Sequence, residues 1–180
     1  MGITIRLACP EDAPDMAEII SRSWEAAHQK IIPMDLIQAK NATRLDLFRR
    51  IITAENDSQY VITSNGTTVG IMGVAPPDKD EKDINDSFYE LQSLYLHPAF
   101  FHRGIGTAAM NFALEKGRAA GRSRMILWVF AENTGAIRFY EACGFHRHHL
   151  IKNFFTDHYD HPIYECGVQL VDMVYLQRML

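Results

Sequence analysis

Several common protein classes are excluded by what this 180-residue chain lacks. Cysteine is scarce: Cys9, Cys143 and Cys166 are odd in number and far apart. That pattern suits neither a disulfide framework nor a zinc cage, and it fits reduced thiols in a cytoplasmic protein. A dominant charge sign is also missing. The 18 Lys and Arg against 22 Asp and Glu give a net charge of −4, with no basic stripe, so no nucleic-acid partner is expected. Apolar runs fall far short of the ~20 residues of a membrane-spanning helix. The start, MGITIRLACPEDA, shows no charged leader ahead of an apolar core, and Arg6 stands where a myristoylation signal wants Ser or Thr. The P-loop pattern G-x-x-x-x-G-K-[ST] is absent, as are repeats and low-complexity tracts.

What is present is an ordinary globular composition, 47% hydrophobic and 22% charged, at a length that suits one domain over residues 1–180. Residues 3–8 alternate as a strand does. Pro10-Glu11-Asp12 opens a helix whose apolar stripe is Met16, Ile19, Ile20, Ser23, Trp24 and Ala27. A second helix after Pro33 runs through Leu36, Leu45, Phe48 and Ile52. The period then shortens. YVITS, Asn65-Gly66 and TTVGIMGVA read as a hairpin, because Asn-Gly supplies the positive φ angles of a tight turn. A charged, proline-led loop spans 76–87, and 88–96 is a further strand. A helix to about Ala120 stops at Gly121. An apolar strand covers 124–131, and a short helix runs from Asn133 to Cys143 and ends at Gly144. Two last strands lie near 145–155 and 164–177. The order predicts a mixed α/β fold: a mostly antiparallel twisted sheet of about six or seven strands flanked by about four helices.

The segment HPAFFHRGIGTAAM, 97–110, places Gly104 and Gly106 at a helix mouth, just after a strand and next to Arg103. The first amides of a helix have no internal partner and carry the positive end of its dipole. Glycine removes the Cβ that would keep a phosphate away from them. By itself the pair serves two ends equally well, an anion cradle or close packing of helix on strand.

A second segment, ENTGAIRFYEACGF, places Asn133 27 residues after Gly106. In that order and spacing, SLYLHPAFFHRGIGTAAM and ENTGAIRFYEACGF resemble the GNAT-type N-acetyltransferase superfamily. The resemblance rests on roughly residues 88–146 and implies acetyl-CoA as co-substrate. It implies that His102, Arg103, Gly104, Ile105, Gly106 and Thr107 receive the diphosphate. It implies that Leu94, Tyr95 and Leu96 bond the pantetheine arm as an added strand does. Asn133 would contact the cofactor, and Tyr140, two helical turns on and on the same face, would protonate the departing thiolate. Backbone N–H groups near Leu94 would stabilise the oxyanion. Glu90 is the candidate base for an acceptor amine that arrives protonated. The chain departs from the family pattern at Phe101, where Gln or Arg is usual, and at Trp128, where some relatives place a glutamate base.

The resemblance implies an acceptor that is a small primary amine (polyamine, amino acid or amino sugar) or a protein N-terminus, attacked directly in a ternary complex, since no cysteine looks activated. No metal is expected. His146, His148, His149, His158 and His161 crowd together, but adjacent His148 and His149 should point to opposite faces of a strand. Two other classes stay open: a non-catalytic acyl-CoA-sensing module, and a metal-binding regulator built on those histidines. Trp24, His28 and Tyr159 could shape the acceptor pocket. The apolar VQLVDMVYL suggests a homodimer through the C-terminal strands.

Overall fold

The computed structural model describes residues 2–28, 34–53, 57–77, 85–131, 133–153, 163–165, 168–170 and 172–180. Its strands are β1 (Ile3–Leu7), β2 (Gln59–Ser64), β3 (Thr67–Ala75), β4 (Phe88–Leu96), β5 (Arg124–Phe130), β6 (His146–Ile151), β7 (Ile163–Glu165), β8 (Val168–Leu170) and β9 (Met173–Met179). The helices are α1 (Ala13–His28), α2 (Met34–Ile51), α3 (Ile105–Ala119) and α4 (Thr134–Ala142), with short 3-10 turns at Pro10–Asp12 and Pro98–Phe100. Seven strands form one sheet in the order β1-β2-β3-β4-β5-β9-β6, while β7 and β8 pair separately. Most of the pairings are antiparallel; β4 and β5 run parallel. This is the mixed α/β architecture read from the sequence.

The chain divides into two compact units, Met1–Val74 with Ser93–Phe112 and Ala75–Gln92 with Ala113–Leu180. In the first, β1, β2 and β3 form an antiparallel meander. Its hairpin turns on Asn65 and Gly66 at φ 50° and 83°, the left-handed conformation that Asn-Gly tolerates best. Ala13, Met16 and Ile19 of α1 recur at three-residue steps and bury one stripe against Phe48, Ile52, Val61 and Ile71. Each of the larger side chains among them contributes roughly 1.5–3 kcal/mol by leaving water. Gly70 lets β4 come close: a Cβ there would lie 2.5 Å from Leu96 Cδ2 and 3.0 Å from the Tyr95 carbonyl. Arg6 pins the start of α1 to β1 through a two-pronged ion pair with Asp12 at 2.6 and 2.7 Å.

In the second unit, residues 88–90 of β4 pair with 124–126 of β5, and β5 pairs along its length with β9. Phe88, Ile126 and Tyr175 form a buried cluster with Trp128 against it. Two expectations need correction here. The run expected as one strand at 164–177 holds three, with β7 and β8 paired apart from the main sheet, because an apolar pattern does not mark where one strand ends and the next begins. β9 has β5 on one side and β6 on the other, so both of its own edges are paired within the chain. The histidine expectation also fails. A register shift between Arg147 and His149 bulges β6, and His148 Nδ1 and His149 Nδ1 meet at 2.9 Å.

Candidate active site

The mouth of α3 is built by its own backbone. His97 accepts from the Ala99 N–H at 3.2 Å through Nδ1 and starts the 3-10 turn, and Phe101 N–H returns to Pro98 O. His102 and Gly104 then both adopt positive φ, 58° and 77°, either side of Arg103. A Cβ on Gly104 would meet nothing within 4 Å, so this glycine is there for its backbone angle and not for packing. The packing glycine of α3 is Gly117, whose added Cβ would sit 2.7 Å from Leu180. Buried Ile105 anchors the first turn.

The donors at that mouth are open. The first helical bond is Ala108 N–H to Gly104 O at 3.0 Å. Among the described residues, no main-chain N–H of 102–107 bonds to another protein group. Successive amides in alternating backbone conformations are able to receive an anion, and the helix dipole favours one there. The Arg103 guanidinium stacks 5.1 Å from the Phe100 ring centre, which holds its charge at the rim. Phe101, at the departure from the family pattern, is exposed and lends the cradle no donor.

Leu94, Tyr95 and Leu96 end β4 in half-buried positions. The pairing of β4 with β5 runs from Phe88↔Arg124 to Glu90↔Ile126, and β4 continues six residues beyond it. Glu90 is half-buried at the last paired position.

Asn133, Tyr140 and Cys143 belong to α4 and its caps. Asn133 Oδ1 accepts from the Ala136 N–H at 3.1 Å, its own N–H donates to Phe130 O, and its carbonyl accepts from Ile137. It is therefore a true N-cap, and the side-chain amide Nδ2 is what it has left for a ligand. Tyr140 is half-buried, with Phe139 and Phe145 rings 5.3 and 6.2 Å from its own. At the other end of α4, Arg178 donates to the Cys143 carbonyl, placing a cation on the negative end of the dipole.

Neither described thiol is activated. Burial pushes the Cys143 pKa up, and a hydrogen bond to Asp12 pushes up that of Cys9. Among the described residues no group of three His, Cys, Asp or Glu side chains could hold a metal ion. His158, Tyr159, His161 and Cys166 lie outside the described residues, as does the side chain of His28. No described helix is long and apolar enough to cross a membrane.

A family model described as acetyltransferase (GNAT) family matches residues 14–145, which include both helix mouths. The chain belongs to the GNAT acetyltransferase family. A Methanocaldococcus jannaschii protein named an uncharacterized N-acetyltransferase is 32% identical over 156 residues, 84% of this chain and 64% of its own. A Lactobacillus delbrueckii counterpart is 31% identical over 49% of this chain and 51% of its own, so the chain spans between half and two thirds of these relatives. Among solved GNAT-type structures, the PaiA N-acetyltransferase of Thermoplasma acidophilum in complex with coenzyme A superposes with a TM-score of 0.74 at 19% identity, over 100% of both chains. A GNAT enzyme of Elizabethkingia anophelis with acetyl-CoA bound gives 0.64 at 21%, over 99% and 98%.

Within the GNAT frame, one compact unit holds Leu94, Tyr95, Leu96 and the open amides of 102–107, and the other holds Glu90, Asn133 and Tyr140. Sequence reading missed Arg44, a buried cation on α2. The signal was available: Ile37, Asn41, Arg44 and Phe48 follow at helical steps of four, three and four, which puts an arginine on the core stripe.

Proposed function

We propose that this GNAT domain, acting as one catalytic unit over residues 1–180, moves an acetyl group from acetyl-CoA to a primary amine by direct attack in a ternary complex. The observation that carries this reading is the set of main-chain N–H groups at 102–107 that find no partner among the described residues. Unpaired amides on a dipole's positive end suit the coenzyme's linked phosphates, and the residues fit that group without a side-chain change. When bound, the coenzyme supplies an activated acyl carbon and a thiolate leaving group.

The chain's residues do the rest. Residues 94–96 align the pantetheine arm through their main chain, and Asn133 Nδ2 adds a donor. An N–H near Leu94 takes up charge developing on the acyl oxygen. Glu90 removes a proton from the incoming ammonium, directly or through water, and Tyr140 gives a proton to the sulfur as the C–S bond breaks. Raised thiol pKa values at Cys9 and Cys143 support transfer without an acyl-cysteine intermediate. The acceptor is a small molecule or a peptide amine, the setting is cytoplasmic, and a dimer would use a surface other than the edges of β9.

The test is thermal shift with acetyl-CoA, NAD, ATP and zinc, followed by free-thiol release across an amine panel. Acetyl-CoA at a hundred times its Kd should stabilise the fold by about 2.7 kcal/mol. No shift with acetyl-CoA would overturn the reading, and a shift without thiol release from any amine would leave a coenzyme-sensing module. Glu90→Gln should flatten the basic rise of the pH–rate profile. An unaltered profile would assign the base elsewhere.

A further inference from the structure

Helix α2 buries a charge that nothing so far uses. Arg44 keeps only 6% of its surface exposed, between Ile37 and Phe48 on the same face. A guanidinium does not shed its proton to escape such a site. Burial disfavours its charged form, and a carboxylate normally offsets that cost.

Among the described residues none does so directly. Arg44 Nε donates to Asn41 Oδ1 at 2.8 Å, and no other group among the described residues hydrogen-bonds the guanidinium. Asn41 passes the contact on to Glu25 Oε1 at 3.3 Å, while the other oxygen of Glu25 faces Arg22 at 3.6 Å. The carboxylate that the network reaches is thus one side chain away and shared. The Arg44 guanidinium lies 4.6 Å from the Trp24 ring centre, and Lys40 Nζ lies 5.5 Å from the same ring. The ring's quadrupole attracts both cations but neutralises neither. The Tyr95 side chain also acts electrostatically on Arg44. Two cations share one indole, and among the described residues no anion is set directly against either.

We propose that Arg44, backed by Lys40 and Trp24, is the subsite for a carboxylate carried by the acetyl acceptor. The substrate class is then an amino acid or a similar amine with a free carboxylate, not a polyamine or a neutral amino sugar. The proposal rests on the transferase reading above. Trp24, Lys40, Arg44 and Tyr95 all lie in one compact unit, and Tyr95 is on the strand assigned to the pantetheine arm. A planar guanidinium pairs with a carboxylate through two parallel bonds, which fixes orientation as well as affinity. Gripped there, the acceptor's amine is held at a set distance from the anion, which selects among amines by length.

The experiment compares matched acceptors on the full chain by thiol release: amino acids, their uncharged amides, and a polyamine. Wild type should show kcat/KM about a hundredfold higher for the acids than for the amides, because a site built for a polar group rejects its absence strongly. Arg44→Gln should abolish that preference mainly through KM, and Arg44→Lys should restore part of it. Equal turnover of acids and amides by wild type, or preference for the polyamine, overturns the subsite and leaves the transferase standing. This comparison holds even if the Arg44 variants fail to fold. A second readout separates the two readings: thermal shift with an N-acetylated amino acid against its amide. If no amine releases thiol yet the acid alone stabilises wild type, the subsite stands and the transferase falls. If acid and amide shift the protein alike, the subsite falls.

Discussion

Helices α3 and α4 begin in opposite ways. Asn133 closes α4 with its own side chain, committing Oδ1 to the Ala136 N–H. Gly104 opens α3 with no side chain to offer, and the amides of 102–107 are left with no protein partner among the described residues. A capped helix start typically gains about 1 kcal/mol over an uncapped one, so α3 forgoes stability that α4 keeps. The difference marks what each end is for. On the proposed reading, α4 is the platform for Tyr140, and the donors at the start of α3 are kept for the coenzyme. The short turn at Pro10–Asp12 is closed from the other side, by its third residue and not by its N-cap. There Asp12 accepts from the Cys9 N–H at 2.8 Å while also holding Arg6.

Four variants break or sharpen this contrast. The largest effect is expected at the platform. Tyr140→Phe should lower kcat about a hundredfold while leaving acetyl-CoA affinity nearly unchanged, as steady-state kinetics with equilibrium binding would show. Equal loss of both would make Tyr140 a packing residue.

The next largest should be Asp12→Ala, which removes an ion pair and a main-chain cap together and should cost about 2 kcal/mol in urea unfolding. Its pH dependence has a definite sign. Arg6 holds the Asp12 pKa below the ordinary 3.8, at about 2, so the contribution is complete above pH 3.8 and disappears as pH falls toward 2. Wild type should lose stability across that window, and the variant should lose less.

Gly104→Asn would give α3 the closed start that α4 has. Asparagine tolerates a positive φ and offers a side-chain oxygen to the amides below it. Fold stability should hold, whereas the acetyl-CoA Kd should rise about tenfold by calorimetry, since each 1.4 kcal/mol is a factor of ten. Unchanged affinity would move the phosphate site elsewhere. The smallest effect is expected from Asn133→Ala, about 1 kcal/mol of unfolding free energy with a modest rise in coenzyme Kd.

Much of this contrast was legible along the chain. The Asn65-Gly66 hairpin, strand 88–96 and the stops at Gly121 and Gly144 depend on local angles, and glycine and asparagine announce such angles by themselves. The misreadings concern where strands break and how they pair. The run at 164–177 reads as one strand because an apolar pattern does not mark strand ends, and the bulge in β6 joins His148 to His149 against strict alternation.

By itself, then, the sequence determined most of the elements, their order up to β6 and the bare backbone at the mouth of α3, because each follows from the preferences of a few neighbouring residues. Only the tertiary structure decided that β9 sits between β5 and β6, that the amides of 102–107 find no partner among the described residues, and that Arg44 is enclosed beside Trp24 without a described carboxylate against it. The reason is physical. Burial and the satisfaction of polar groups are fixed by which residues meet across long stretches of chain, and no local rule specifies those meetings.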